Sequence, residues 1–390
     1  MLILPITFVV MIAIFIGTLN LVFSAEIFVG LTQRKTSLLD RTDATLVVIV
    51  PANDEAVIIG ENLKALQSQL RVNDRILLIA DNCHDNTAEI ARTFGIEVAV
   101  RSDETKIGKG FALAFARDQL DSAPPDMVMI IDADCRIDAS SIDHLMNLAK
   151  KFNRPVQAVS LLRPDLTAPT MVQVSNFAFA VKNYLRNGGM QKMTGRALLQ
   201  GTGMVIPWIL FKSVTLATDN VVEDLALGLD FAERGCPPML AHSATVWSSA
   251  SNTGDTLKQR NRWEGGFLAT VARRALPIIL RSVRSGNLGS MWTGLSLLVP
   301  PLSLLVVLNI CVFALSVLTA VALGSIVPLI IIAYSGLVAL LAIVLAWRAI
   351  GRPFLSGTAA LMIPVYIIWK LPVYLHVFKR LPRTWQRTER

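Results

Sequence analysis

The chain has 390 residues and a net charge of +8, and 53% of it is hydrophobic, with the apolar residues gathered into one long stretch at the start and three after residue 290. That distribution excludes an ordinary soluble protein and describes a mixed-composition domain held between membrane segments. The basic residues sit beside the apolar stretches (Arg34-Lys35, Arg273-Arg274, Lys379-Arg380), which suits anionic lipid headgroups and argues against nucleic acid as a partner.

Leu2 to Ala25 carries no charge and is long enough to span a bilayer. It lacks the basic leader and short apolar core of a signal peptide. Arg34, Lys35 and Arg41 follow it, so the positive-inside tendency puts the N-terminus outside and residue 35 onward in the cytoplasm. Leu46 to Val50 reads as a buried strand stopped by Pro51, and Asn53-Asp54-Glu55 as the opening of a helix with Val57, Leu63 and Leu66 on its apolar face and Asn62 and Lys64 turned away. Ile76 to Ala80 is a second strand, ending in the polar loop Asp81 to Thr87. A helix from Ala88 to Phe94, a strand from Ile96 to Val100, and the turn Lys106-Ile107-Gly108-Lys109-Gly110 before an alanine-rich helix come next. Strand and helix alternate as in a mainly parallel, Rossmann-like α/β sheet with helices on both faces.

The apolar run into Asp132-Ala133-Asp134 is the next strand. Alternate residues of an extended chain face the same way, so both acids share a face at a strand end, where ligands of open α/β sheets bind. Two readings are open from the residues: solvated strand-end acids, or a pair holding a hard divalent cation that bridges a diphosphate. Beyond it, Ala168 to Leu185 reads as a helix and Gln200 to Gly203 as a turn into the strand Met204 to Ile206. Thr218-Asp219-Asn220 offers an N-cap to a helix with Glu223 and Asp224 in its first turn, and Thr245 to Trp247 reads as a strand. Lys258 to Arg284 mixes bulky apolar residues with arginines, as an interfacial helix does.

The C-terminal apolar segments are Met291 to Leu323, Ile326 to Trp347 and Phe354 to Phe378. Pro300-Pro301 interrupts the first, and Pro364, Lys370 and Pro372 interrupt the third. Three crossings would put the basic tail outside, so the third segment is expected to be interfacial or re-entrant. Cys83, Cys135, Cys236 and Cys311 have neither zinc-ligand spacing nor a disulfide framework, which fits a reducing compartment. The expected organisation is an N-terminal transmembrane helix (1–31), a cytoplasmic domain (45–257), interfacial helices (258–290), a C-terminal membrane region of two to three segments (291–378) and a basic cytoplasmic tail (379–390).

Seven blocks in order carry a family resemblance: Val50 to Glu55, Asp81 with Asp85-Asn86-Thr87, Gly108-Lys109-Gly110, Asp132-Ala133-Asp134, Gly201-Thr202-Gly203, Val222-Glu223-Asp224, and Gln259-Arg260-Asn261-Arg262-Trp263. Over about residues 45 to 275 the chain resembles the membrane-bound family 2 glycosyltransferases, the group of cellulose, hyaluronan and poly-N-acetylglucosamine synthases and ceramide glucosyltransferase. The resemblance implies a GT-A type fold and inverting transfer from a nucleotide-sugar, UDP-linked, to a polysaccharide or lipid-linked acceptor at the inner (plasma) membrane. The setting it implies is bacterial exopolysaccharide or cell-surface glycan synthesis.

It also implies roles. Pro51, Glu55, Asp81, Lys109 and Asp132 would bind the donor, and Asp132 and Asp134 would hold Mg2+ or Mn2+. Asp224 would be the general base, with Glu223 orienting it. Gln259, Arg260, Arg262 and Trp263 would border the diphosphate and the acceptor. The chain departs from the family pattern at Asp54, where asparagine is usual, and at Val222, where threonine or a similar residue is usual. Its membrane part is small, which makes a single-addition glycolipid synthase the competing reading. A non-catalytic membrane scaffold is the alternative of a different class, against which the retained Asp132, Asp134, Asp224 and Trp263 speak.

Overall fold

The computed structural model describes residues 3–34, 42–218, 222–249, 253–367 and 370, with the backbone alone for 253–261. The capping residues Asp219 and Asn220, the side chains of Gln259 and Arg260, the latter part of the third C-terminal segment and the tail 379–390 lie outside the described residues. The elements in chain order begin with α1 (Ile3–Leu31), β1 (Leu46–Ala52), α2 (Ile59–Gln67), β2 (Arg75–Asp81), α3 (Thr87–Thr93), β3 (Glu97–Arg101), α4 (Lys109–Leu120) and β4 (Met127–Ile130). Then come β5 (Cys135–Ile137), α5 (Ser141–Phe152), β6 (Val156–Leu162), α6 (Thr170–Ala180), a π-helical turn (Val181–Arg186), α7 (Asn187–Thr194), β7 (Met204–Pro207) and α8 (Trp208–Ser213). The rest are α9 (Glu223–Glu233), β8 (Met239–Ser248), α10 (Thr253–Ser285), α11 (Leu288–Leu298), α12 (Leu302–Leu323), α13 (Val327–Ala346), a second π-helical turn (Trp347–Gly351) and α14 (Gly357–Ala360).

The chain divides into two compact units, one from 34–163 and 195–267, the other from 1–33, 164–194 and 268–381. In the first, eight strands form one sheet in the order β3-β2-β1-β4-β7-β6-β8-β5. β3, β2, β1 and β4 run parallel, as do β6 and β8; β7 is antiparallel to both β4 and β6, and β5 to β8. β1, β2 and β4 read as near-continuous apolar runs because both of their faces are covered. Leu46, Val48 and Val50 pack with Ile59 and Leu63 of α2 on one side. Val47 and Ile49 pack with Leu113 and Ala116 of α4 and Phe231 of α9 on the other.

Three expectations are corrected here. β1 continues through Pro51, which pairs with Ile79. The Ile49 carbonyl accepts from Ile131 on the β4 side, and Pro51, two residues on, turns the same edge beyond the last rung of β4. Its missing N–H therefore leaves no ladder bond unmade. The first helix begins at Ile59, not at residues 53–55, because Asp54 takes a left-handed backbone (φ 53°) and its carboxylate caps the amides of His84 and Asp85. Val57 is accordingly 97% exposed, with Ile59 taking the buried place. Asn62 is not turned away: it donates to the Ala133 carbonyl and accepts from Arg136.

In the second unit α1 packs against α7, α12 and α13. Asn20 and Asn309 exchange side-chain amide bonds (2.7 and 2.9 Å), and Asn20 also donates to Ser335 (3.3 Å). Glu26 is fully buried, paired with Arg186 at 2.8 Å and accepting from the Trp292 indole. Among the described residues three helices are long and apolar enough to cross a membrane: Ile3–Leu31, Leu302–Leu323 and Val327–Gly351. The first C-terminal apolar segment thus splits at Pro300-Pro301 into the short α11 and the membrane-length α12, which starts directly after Pro301.

Candidate active site

Parallel strands bring their C-terminal ends to one edge, so β1, β2, β3 and β4 deliver Ala52, Asp81, Arg101 and the chain leading to Asp132 side by side. β7 runs the other way and pairs Met204 with Ile130. The turn Gly201-Thr202-Gly203 that feeds it therefore arrives at this same edge. There the Gly203 amide donates to the Ile130 carbonyl (2.8 Å), and the Thr202 hydroxyl accepts from the Asp132 amide (3.0 Å). The strand from Met204 was expected from the sequence but its antiparallel course was not, and that course is what joins the 201–203 block to the aspartates.

Lys109 opens α4 between two glycines. A Cβ at Gly110 would lie 2.5 Å from the Leu216 carbonyl oxygen, so only glycine lets the 216–218 chain pass this close on its way to α9. The Lys109 ammonium donates to the Asp132 carboxylate and, at 2.6 Å, to the Gly201 carbonyl. Gly201 has φ +85°, and a Cβ there would lie 3.3 Å from Asp224 Oδ2. Asp132, Lys109, Gly201 and Asp224 therefore form one cluster, with Glu223 beside Asp224 in the first turn of α9. Burial works against the Lys109 charge, but Asp132 and Glu223 outweigh it and raise the pKa above the ordinary lysine value. The Glu223 carboxyl is pushed up to about 7, by burial first and then by the neighbouring Asp224 charge, with Lys109 pulling the other way. Glu223 is thus an acid whose burial and acidic neighbour favour its protonated form, set beside Asp224 at the start of α9.

Asp132, Asp134 and Cys135 bring ligand atoms within 4.8 Å of one another. The Cys135 thiol lies 3.0 Å from the Ser248 hydroxyl and donates to Asp134 at 3.4 Å; burial pushes its pKa well above the ordinary thiol value, so it stays protonated. What remains is a pair of carboxylates, hard oxygen donors that suit Mg2+ or Mn2+ and not a thiophilic metal. A second group, Asp54, Cys83 and Asp85, is used by its own loop. Asp85 accepts from Ala56 and Thr87, and Asp54 from His84 and Asp85.

At the same sheet edge lie Pro51 in β1, Asp81 at the end of β2, and Glu55 in the loop that follows β1. Asp81 pairs with Arg101 at 2.6 Å, and burial raises its pKa despite that partner. Asn53 donates to the Asp81 carbonyl (2.7 Å), and the Glu55 amide donates to the Thr87 hydroxyl (2.8 Å). Arg262 and Trp263 are half-buried on α10. Sequence reasoning assigned no role to Arg101, Gly201 or Thr202. Arg101 closes a strand, as Asp81 does, and strand-end position was the available signal. The 201–203 block was noticed, but its partners were not readable without the pairing of β7.

A sequence model of the family described as "Glycosyltransferase like family 2" matches residues 43–266, more than half of the chain, and the chain belongs to that family. Among curated proteins it is similar to a probable glycosyltransferase, YdaM, of Bacillus subtilis (strain 168), 24% identical over 228 residues that make up 56% of this chain and 54% of that protein. The chain thus spans about half the length of the curated relative it matches. Among solved structures it is similar to the mannosyltransferase PcManGT of Pyrobaculum calidifontis, determined in complex with GDP-Man and Mn2+. That match has a TM-score of 0.59 at 17% identity and covers 93% of this chain and 99% of the other. The fold is of the GT-A type, with membrane-length apolar helices towards both ends of the sequence.

Proposed function

We propose that the protein is a metal-dependent, inverting glycosyltransferase that moves a sugar from a nucleotide-sugar, UDP-linked, to a polysaccharide or lipid-linked acceptor at the membrane, in bacterial exopolysaccharide or cell-surface glycan synthesis. The observation that carries this reading is the Asp132–Lys109–Gly201–Asp224 cluster at the C-terminal edge of the parallel strands. Family membership and the metal and nucleotide-sugar in the PcManGT complex support it.

In this reading Asp132 and Asp134 hold the cation, which when bound offsets negative charge on the departing nucleoside diphosphate. Pro51, Glu55 and Asp81 border the base and ribose, with Arg101 fixing Asp81. Lys109 reaches the diphosphate. Asp224 takes the proton of the acceptor hydroxyl as that oxygen attacks the anomeric carbon, and Glu223 orients it. The single displacement inverts the sugar. Gln259, Arg260 and Arg262 offer donors to the phosphates, and Trp263 a flat apolar surface to the acceptor ring. The domain of residues 45–257 faces the cytoplasm at the inner membrane, between the helix of 1–31 and the region 291–378, with 258–290 at the interface and the tail 379–390 inside.

The test is a screen of UDP- and GDP-sugars on the detergent-purified full chain, measuring released nucleoside diphosphate with and without EDTA. One sugar nucleotide turned over only with Mg2+ or Mn2+ is the expected result; full activity in excess EDTA, or none with any donor, would reject the reading. Among the described residues three helices are candidate spans, a small membrane region that favours addition of one sugar to a lipid-linked acceptor as the second reading. Product length separates the two.

A further inference from the structure

We propose that Lys109 competes with the divalent cation for Asp132, so that the site takes up the cation only together with a nucleoside diphosphate that draws the ammonium away. This rests on the metal reading of Asp132 and Asp134 given above. The Lys109 side chain is 17% exposed and the Asp132 side chain 38%. The lysine is therefore held in place while the carboxylate it bonds still opens to an incoming ligand. Its base is fixed at the first residue of α4, and its head is held by two acceptors, Asp132 and the Gly201 carbonyl.

A cation on the other oxygen of Asp132 would lie a few ångströms from this ammonium, where like charges oppose each other as strongly as an ion pair attracts. Asp134 alone is a poor site, because hard divalent cations need several oxygens. A diphosphate changes the balance in two ways. It brings oxygen ligands of its own, and it offers Lys109 a more highly charged partner than Asp132. Glu223 and Asp224 also face Lys109, so an ammonium leaving Asp132 keeps negative charge around it. Cation and nucleotide then enter as a pair, and Asp132 is protected from free divalent ions.

The experiment measures Mn2+ binding by calorimetry or electron paramagnetic resonance on the detergent-purified full chain, with Mn2+ alone and with UDP or GDP added. Wild type should bind Mn2+ weakly alone and much more tightly with the nucleotide. Lys109→Met should bind Mn2+ alone at least about tenfold more tightly, since a nearby positive charge has gone, and should show a smaller nucleotide effect. Lys109→Arg keeps the charge and should stay as weak as wild type. If Lys109→Met is poorly folded, Lys109→Gln takes its place, and the wild-type comparison stands alone: Mn2+ bound equally well with and without nucleotide would overturn the proposal. So would a Lys109→Met protein that binds no tighter, or a Lys109→Arg protein that tightens as much as Met. Asp134→Ala separates the two levels. If it leaves Mn2+ binding unchanged, the metal reading itself falls, and the competition with it. If it abolishes binding while Lys109→Met gains nothing, the competition alone falls.

Discussion

Glu223 is buried beside Asp224, and the effect of that environment on its carboxyl is measurable. The Glu223 carboxyl, ordinarily near 4.5, titrates at about 7 in the folded protein. A raised folded pKa means that the native state binds more protons than the unfolded state between those two values. Stability therefore falls as pH rises from about 4.5 through 7, and levels off above. Glu223→Gln removes this component, so its stability should lose less between pH 5 and pH 8 than wild type does. Denaturant midpoints of the two proteins at both pH values check this; parallel pH slopes would contradict the environment described for Glu223. Trp263 and Arg262 can be tested as pocket or anchor. If Trp263 stacks on the acceptor, Trp263→Ala should stay folded and membrane-bound and lose acceptor transfer, with donor hydrolysis less affected. Arg262→Lys keeps the charge and loses the planar fork, so a phosphate-binding role predicts a large loss and a lipid-binding role a small one. Equal, mild losses in hydrolysis and transfer, reversed by anionic lipid, would favour the anchor.

At the scale of elements, the turn at 201–203 does more than lead into a strand. Gly201 holds Lys109 by its carbonyl and faces Asp224 through its Cα. Gly201→Ala should cost about 1–2 kcal/mol for the left-handed backbone and should also push Asp224 aside. The expected outcome is a fall in transfer of tenfold or more with donor binding less affected; unchanged kinetics would remove this turn from the site. The strands β1, β2 and β4 were legible because two-sided burial writes itself as apolar runs punctuated by polar loops. β6 was not foreseen. Gln157 and Ser160 interrupt its apolar pattern, yet both are buried; the Gln157 side chain donates to the Thr202 and Ala158 carbonyls, and the Ser160 backbone amide donates to the Gln200 side chain. β5, three residues long, gave no pattern at all. The antiparallel course of β7 was hidden for another reason, because pairing direction is decided by the strands on either side. The acids and Lys109 could be named from the sequence; that Gly201 links Lys109 to Asp224 could not.

For the whole molecule, three helices among the described residues are long and apolar enough to cross a membrane, and the proposed orientation puts residue 35 onward inside. The connector between α12 and α13 at residues 324–326 should then be outside. In a cysteine-free background, Ser325→Cys should react with an impermeant thiol reagent in intact cells, and Ser122→Cys only after lysis. The reverse pattern would invert the orientation. The central claim, that the cluster at the sheet edge is a transfer site with Asp224 as its base, is tested most directly by Asp224→Asn. That variant keeps size and hydrogen bonding but cannot accept the proton. With donor binding and acceptor transfer measured side by side on the purified protein, the predicted result is near-normal donor affinity with transfer lower by ~10²–10⁴-fold. Transfer at the wild-type rate would contradict the account.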